Sequence, residues 1–132
     1  MDINIENTTF IIVAYKSEKI IYNCLNSLPE NSIKIIIENS KNLNLKNDLE
    51  RKYKNLTVLL NENSGFGASN NLGIKKCATQ FAYILNPDVT FQKDTFDNLS
   101  KSCLDTYNAY KFNKMRQASH NEKKQVLKKC IG

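Results

Sequence analysis

The residues best placed to do chemistry lie in two short stretches. Residues 61–73 read NENSGFGASNNLG, and residues 86–90 read NPDVT. The chain has four glycines, and three of them, Gly65, Gly67 and Gly73, fall in the first stretch. Glycine lets a backbone approach a ligand closely or take a positive φ. Asn63, Asn70 and Asn71 add amide donors and acceptors. The N-terminus of a helix that follows such a turn favours an anion such as phosphate. The stretch can therefore cradle a nucleotide diphosphate or a sugar. It is equally well read as a tight strand-to-helix turn, with Gly73 allowing the helix to pack close to a sheet. In the second stretch, Pro87 stops a strand and stiffens the turn. Asp88 is then a carboxylate held at a strand end. Magnesium usually takes one or two carboxylates together with substrate phosphates, although Pro-Asp is also an ordinary turn.

Other chemistries fit poorly. A G-x-G-x-x-G fingerprint would need glycine where Asn70 stands, and no G-K-[ST] phosphate loop is present. Cys24, Cys77, Cys103 and Cys130 form no C-x-x-C pair, and His120 is the single histidine. A structural zinc site is not expected, and the thiols read as packed and free. His120 reads as a solvent-exposed tail residue.

The elements that position these stretches follow from apolar patterning. TTFIIVAY (8–15), SIKIIIE (32–38), LTVLL (56–60) and FAYIL (81–85) read as four buried strands. Helices are expected over 17–28, capped by Ser17, over 43–55, from the Gly-rich turn to about Thr79, and over 93–107. Strands alternating with helices imply an α/β fold with a mostly parallel sheet covered on both faces, hence three layers. Ligands on such sheets bind beyond the carboxyl ends of the strands. The loops at those ends are 15–17, 38–41, 61–67 and 86–90, which contain both chemical stretches.

The 132 residues suit one hydrophobic core. No apolar run is long enough to span a bilayer. The N-terminus, MDINIENTTF, has no basic region or apolar stretch of a signal peptide, so a cytoplasmic chain is expected. Residues 1–108 carry twelve basic and twelve acidic side chains, so the net charge of +6 sits entirely in the last 24 residues. That asymmetry argues against a nucleic-acid-binding domain and marks residues 108–132 as a basic appendage.

Taken together, TFIIVAYKSEKIIYNCLNSL, IIIENSKN, NENSGFGASNNLGIKKC and YILNPDVTF resemble family 2 glycosyltransferases, and most closely their rhamnosyltransferase-like subgroup. The resemblance covers roughly residues 8–105, within an expected donor-binding domain at 1–107. It implies a partial GT-A fold and an inverting hexosyl transfer from a nucleotide-diphosphate sugar, dTDP- or UDP-linked. The implied acceptor is a glycan or lipid-linked molecule, in cell-surface polysaccharide synthesis, with a magnesium or manganese ion as cofactor. It places Val13, Ala14 and Tyr15 along the base and ribose. Glu38 stands where the family commonly has aspartate near the base, followed by Asn39 and Ser40. Asn63, Gly65, Phe66, Gly67, Asn70 and Asn71 line the donor pocket. Asn86 and Asp88 match the ends of the family's D-x-D, which leaves Asp88 as the metal ligand.

The resemblance stops near Tyr107, and the carboxylate that would take the acceptor's proton is not found. A frameshift or early stop, a split or decayed gene, and a genuine basic helix docking on anionic lipid or a partner are the competing explanations, with truncation favoured. Phe112, Met115, Val126, Leu127 and Ile131 give only partial helical spacing for a helix lying at the inner face of a membrane. An inactive nucleotide-sugar-binding remnant or partner subunit is the non-enzyme alternative. A sugar nucleotidylyltransferase is the second enzyme alternative, but it would carry a Gly-rich loop where this chain has AYKSEK.

Overall fold

A computed structural model describes residues 2–114, with side chains through residue 106. β1 (Thr8–Ala14) is buried along its whole length. β2 (Ile33–Glu38), β3 (Leu56–Leu60) and β4 (Phe81–Leu85) are the other strands. α1 (Ile21–Ser27), α2 (Leu43–Lys52) and α3 (Phe66–Lys76) connect them, and α4 (Thr95–Lys114) follows β4. Of the basic tail expected at 108–132, residues 108–114 continue α4, and the rest lies outside the described residues.

All strands are parallel, in the order β3-β2-β1-β4. The chain steps outward from β1 to β3 and then crosses back to lay β4 on the other side of β1. Strand order thus reverses between β1 and β4, where open sheets of this kind form their ligand crevice. Ala14 pairs with Glu38 and Glu38 with Leu60, so three strands end on one line. Leu85 pairs with Ile12, so β4 stops two residues short of it.

Side chains alternate along each strand and feed two layers. Phe10, Ile12 and Ala14 of β1, with Ile36, Val58 and Tyr83, pack against α1, α2 and α4. The Phe10 ring meets those of Tyr83, Phe91 and Phe96 at 5.4, 5.6 and 5.9 Å between centroids. On the opposite face, Val13, Ile35 and Ile37 pack with Leu72 of α3. The expected three-layer α/β architecture is the observed one.

All four helices are bounded differently from expectation, and α4 runs Thr95–Lys114 where 93–107 was expected. α1 begins at Ile21, with no side-chain cap. The Ser17 hydroxyl accepts from the Tyr15 N–H at 3.2 Å and donates to the Tyr15 carbonyl at 3.1 Å, so it closes the turn after β1 instead. α3 ends at Lys76 because Thr79 is drawn to the sheet. Its hydroxyl bonds Thr9 Oγ1 at 2.7 Å and the Phe81 carbonyl at 2.9 Å. α2 ends at Lys52, and Asn55 takes φ 56° to turn the chain into β3.

Candidate functional site

The four loops at the carboxyl ends of the strands form one edge. After β1, Val13 and Ala14 are buried in the strand, while the Tyr15 ring is 50% exposed. Lys16 takes φ 51° and holds its ammonium 5.4 Å from the Tyr15 ring centroid. Of the three residues expected along base and ribose, only Tyr15 presents its side chain to solvent.

Glu38 ends β2 and is fully buried. Its Oε1 accepts from the Ser40 hydroxyl at 2.6 Å and its Oε2 from the Asn42 N–H at 2.7 Å. Both oxygens hold the 38–42 loop against the start of α2, which Asn42 caps by accepting from the Leu45 N–H. The sequence reading puts this carboxylate near a base. In the structure its hydrogen bonds serve the loop.

Asn39 ties three loops together. Its N–H donates to the Ala14 carbonyl at 2.8 Å, and its Nδ2 to Ser69 Oγ at 2.8 Å. Its Oδ1 accepts from Asn61 Nδ2 at 3.0 Å. Ser69 and Asn61 are joining residues that the sequence reading passed over. The available signal for Ser69 was its i,i+4 spacing to Gly73, which puts both on the sheet side of one helix.

The 61–67 loop delivers the Gly-rich turn. Gly65 is the N-cap of α3, at φ 93°, a conformation that glycine alone adopts easily. No side chain caps this helix. Asn63 Oδ1 accepts from the Gly65 N–H at 3.3 Å, and the first intrahelical bond runs from the Ser69 N–H to the Gly65 carbonyl. Among the described residues, the N–H groups of Phe66, Gly67 and Ala68 have no partner. A Cβ on Gly67 would meet nothing within 4 Å, so neither packing nor a positive φ requires glycine there. Asn70 is buried, and its Oδ1 has no hydrogen-bond partner. That is an orphan acceptor of the kind that costs about 1–3 kcal/mol unless a donor arrives. Asn71 is exposed.

After β4, the Val89 N–H donates to the Asn86 carbonyl and closes the turn around Pro87. Asn86 and Asp88 are both exposed. The loop then runs beside α1, with the Phe91 N–H donating to Ser27 Oγ at 2.8 Å. Burial, with the negative charge of Asp88 behind it, pushes the Cys24 thiol up to about 11. Among the described residues, no group of three or more His, Cys, Asp or Glu side chains could hold a metal. Asp88 therefore fits a cation only if other oxygens, such as those of a diphosphate, complete the shell.

Among the described residues, the exposed large apolar side chains are Tyr15, Ile20, Leu43, Leu60 and Phe66. All five lie at this edge or on the turns leaving it. The edge thus combines an apolar rim, uncapped helix amides and exposed carboxylates, of which Glu62 is paired with Lys41 and Asp88 makes no ion pair among the described residues.

A family model described as "Glycosyl transferase family 2" matches residues 9–108. The crystal structure of S. aureus TarS 1-349 superposes with a TM-score of 0.60 at 21% identity, covering 77% of this chain and 33% of that one. A second S. aureus TarS crystal structure gives 0.57 at 20% identity, over 77% of this chain and 20% of that one. At such identity the likeness speaks for the fold. This chain spans about a third of the first TarS chain and a fifth of the second. No curated protein matches the chain significantly.

Proposed function

The chain belongs to glycosyl transferase family 2, and from that premise we propose that its sheet edge binds the nucleotide-diphosphate sugar of a sugar transfer. The observation that carries this reading is the start of α3. Three helix amides without partners, an unexplained glycine at Gly67 and the orphan Oδ1 of Asn70 occur together there. Uncapped N-terminal amides favour a phosphate. Phe66 and Tyr15 supply flat apolar surface beside it.

In this reading Asn63, Gly65, Phe66, Gly67, Asn70 and Asn71 line the donor pocket. Tyr15 lies against the base or ribose, above Val13 and Ala14. Glu38 and Asn39 act by holding the adjoining loops, and Asn86 flanks Asp88. Asp88 would hold magnesium or manganese, and such a cation would supply positive charge to balance the departing diphosphate. The NNLG and NPDV stretches support a rhamnosyltransferase-like donor, dTDP- or UDP-linked, and inverting transfer to a glycan or lipid-linked acceptor in cell-surface polysaccharide synthesis. No helix among the described residues is long and apolar enough to cross a membrane. A cytoplasmic site, with the basic residues after 107 facing an anionic membrane, agrees with the charge distribution.

A second reading has its own support. The chain spans a third of TarS 1-349, and the base for the acceptor is unassigned. Glu38 is buried in its loop, and Glu62 pairs with Lys41 at 2.7 Å. In that reading the chain binds a donor, as a binding protein or partner subunit, without transfer activity of its own. Calorimetric titration with UDP- and dTDP-sugars tests the binding claim, and nucleoside-diphosphate release with a lipid-linked acceptor separates the two readings. Failure of every nucleotide sugar to bind, with or without manganese, would overturn both.

A further inference from the structure

A different pole of the molecule holds a buried charge that donor binding does not use. Lys34 is the second residue of β2, on the same face as Ile36 and Glu38, toward α1 and α2. It is 6% exposed. Its Nζ donates to Ser32 Oγ at 3.3 Å, and Ser32 is itself fully buried. Among the described residues no carboxylate pairs with it, because the ion pairs are Lys41–Glu62, Lys46–Glu50 and Arg51–Asp48. A buried lysine without a counter-ion is rare, since losing hydration costs several kcal/mol per ion. Burial accordingly lowers the Lys34 pKa below the ordinary lysine value.

Lys34 lines a cavity of about 440 Å³ at the amino end of the sheet, between the ends of α1 and α2. That is within the usual range for small-ligand sites, about 300–1,000 Å³. Lys52, Lys54 and Asn31 line it too, against one carboxylate, Glu30. Lys52 is steadied over the rings of Tyr22 and Tyr53, at 5.0 and 5.8 Å from their centroids. The Tyr53 hydroxyl donates to Asn26 Oδ1 at 2.6 Å, which fixes that amide and leaves its Nδ2 to donate. The carboxyl ends of α1 and α2 oppose an anion, each with about half a negative charge. Three lysines outweigh those ends and Glu30 together, leaving the cavity roughly one unit positive by the same measure.

We propose that this cavity is a second ligand site, taking a phosphate group with Lys34 as its buried counter-charge and Lys54 at its mouth. The ligand is a phosphate-type oxyanion, either inorganic phosphate or the phosphate of a sugar monoester. The site is independent of donor binding, because it lies at the opposite end of the strands from Gly65.

Nuclear magnetic resonance of the whole 132-residue chain tests this, with chloride exchanged for inorganic phosphate at constant ionic strength. Saturable amide shifts at 30–34 and 52–54 are expected. Lys34→Met weakens them at least about tenfold, the scale of one lost charged hydrogen bond. Lys54→Met, at an exposed position, weakens them too. A parallel titration with glucose 1-phosphate identifies the source: tighter binding than phosphate assigns a sugar phosphate, and equal binding assigns the free ion. Shifts confined to 61–71, a response that never saturates (an adventitious ion only), or full binding by both variants would overturn the proposal.

Discussion

Gly73 lies so close to Ile11 that a Cβ on it would stand 2.5 Å from Ile11 Cγ2. This contact seats α3 on β1 and sets the height of the helix start above the sheet edge. Ile11 is fully buried, so the clash cannot be relieved toward solvent. Gly73→Ala is expected to destabilise the fold by about 1–3 kcal/mol, the usual cost of overpacking. Chemical denaturation measures it, and an unchanged midpoint would mean that α3 is not seated this closely.

Gly67 should behave in the opposite way. It lies in the first turn of α3, and an added Cβ meets no atom within 4 Å. Alanine is favoured over glycine in a helix by up to about 1 kcal/mol. Gly67→Ala should therefore keep or raise the melting temperature while weakening nucleotide-sugar affinity. Thermal melts beside calorimetry decide the matter. Undiminished affinity would remove the ligand-approach role, because no packing role stands behind it. Gly65→Ala is the contrasting control. Its φ of 93° makes any side chain costly, by about 1–3 kcal/mol.

Glu38 is expected to act on stability first. Its carboxylate satisfies the Ser40 hydroxyl and the Asn42 N–H from a fully buried position. Glu38→Ala leaves both donors short of an acceptor, at about 1–3 kcal/mol each. The loss should appear in urea denaturation without any ligand. A variant as stable as the parent, with donor affinity alone reduced, would instead place the carboxylate in contact with the ligand.

The acid limb of stability should depend on Glu50. The Val58 N–H at 2.9 Å is the main cause holding its pKa below the ordinary value, and Lys46 at 3.0 Å assists. Because the folded pKa is depressed, the carboxylate stabilises the fold above its unfolded pKa. That contribution is lost as pH falls through the folded pKa. Glu50→Gln should narrow its stability gap from the parent as pH is lowered from 7 toward 3. A gap independent of pH would contradict the assignment.

Much of this fold could be read from residue order. LTVLL and FAYIL were bounded correctly because they are unbroken apolar runs, the second one ended by Asn86-Pro87. Helix starts were less legible. Ser17 has the chemistry of a cap, but nothing in the sequence says that its hydroxyl turns back to Tyr15. The same holds for Glu38, where a carboxylate at a strand end can face a ligand or its own loop with equal ease. Ser69 and Lys34 were missed because their importance comes from burial, which depends on what folds over them. The Gly-rich turn stood out as a candidate because glycine and asparagine are unusual at such density in this chain.

Asp88 carries the strongest test of the proposed chemistry. It is an exposed carboxylate on the turn that follows β4, beside the point where strand order reverses. No group of metal-binding side chains accompanies it among the described residues. A cation there would need the diphosphate for most of its shell, so cation and nucleotide should bind as a coupled pair. Asp88→Ala is expected to abolish the gain in UDP- or dTDP-sugar affinity that manganese gives, and to leave the weaker metal-free binding nearly intact. Removing the charge should also let the Cys24 thiol fall somewhat from its raised pKa, toward the value set by burial alone. Calorimetry with and without manganese measures the first effect, and the pH dependence of the Cys24 carbon-13 resonance the second. If the variant keeps the full manganese effect while the thiol moves as expected, Asp88 is where the structure puts it, but it is not the metal ligand.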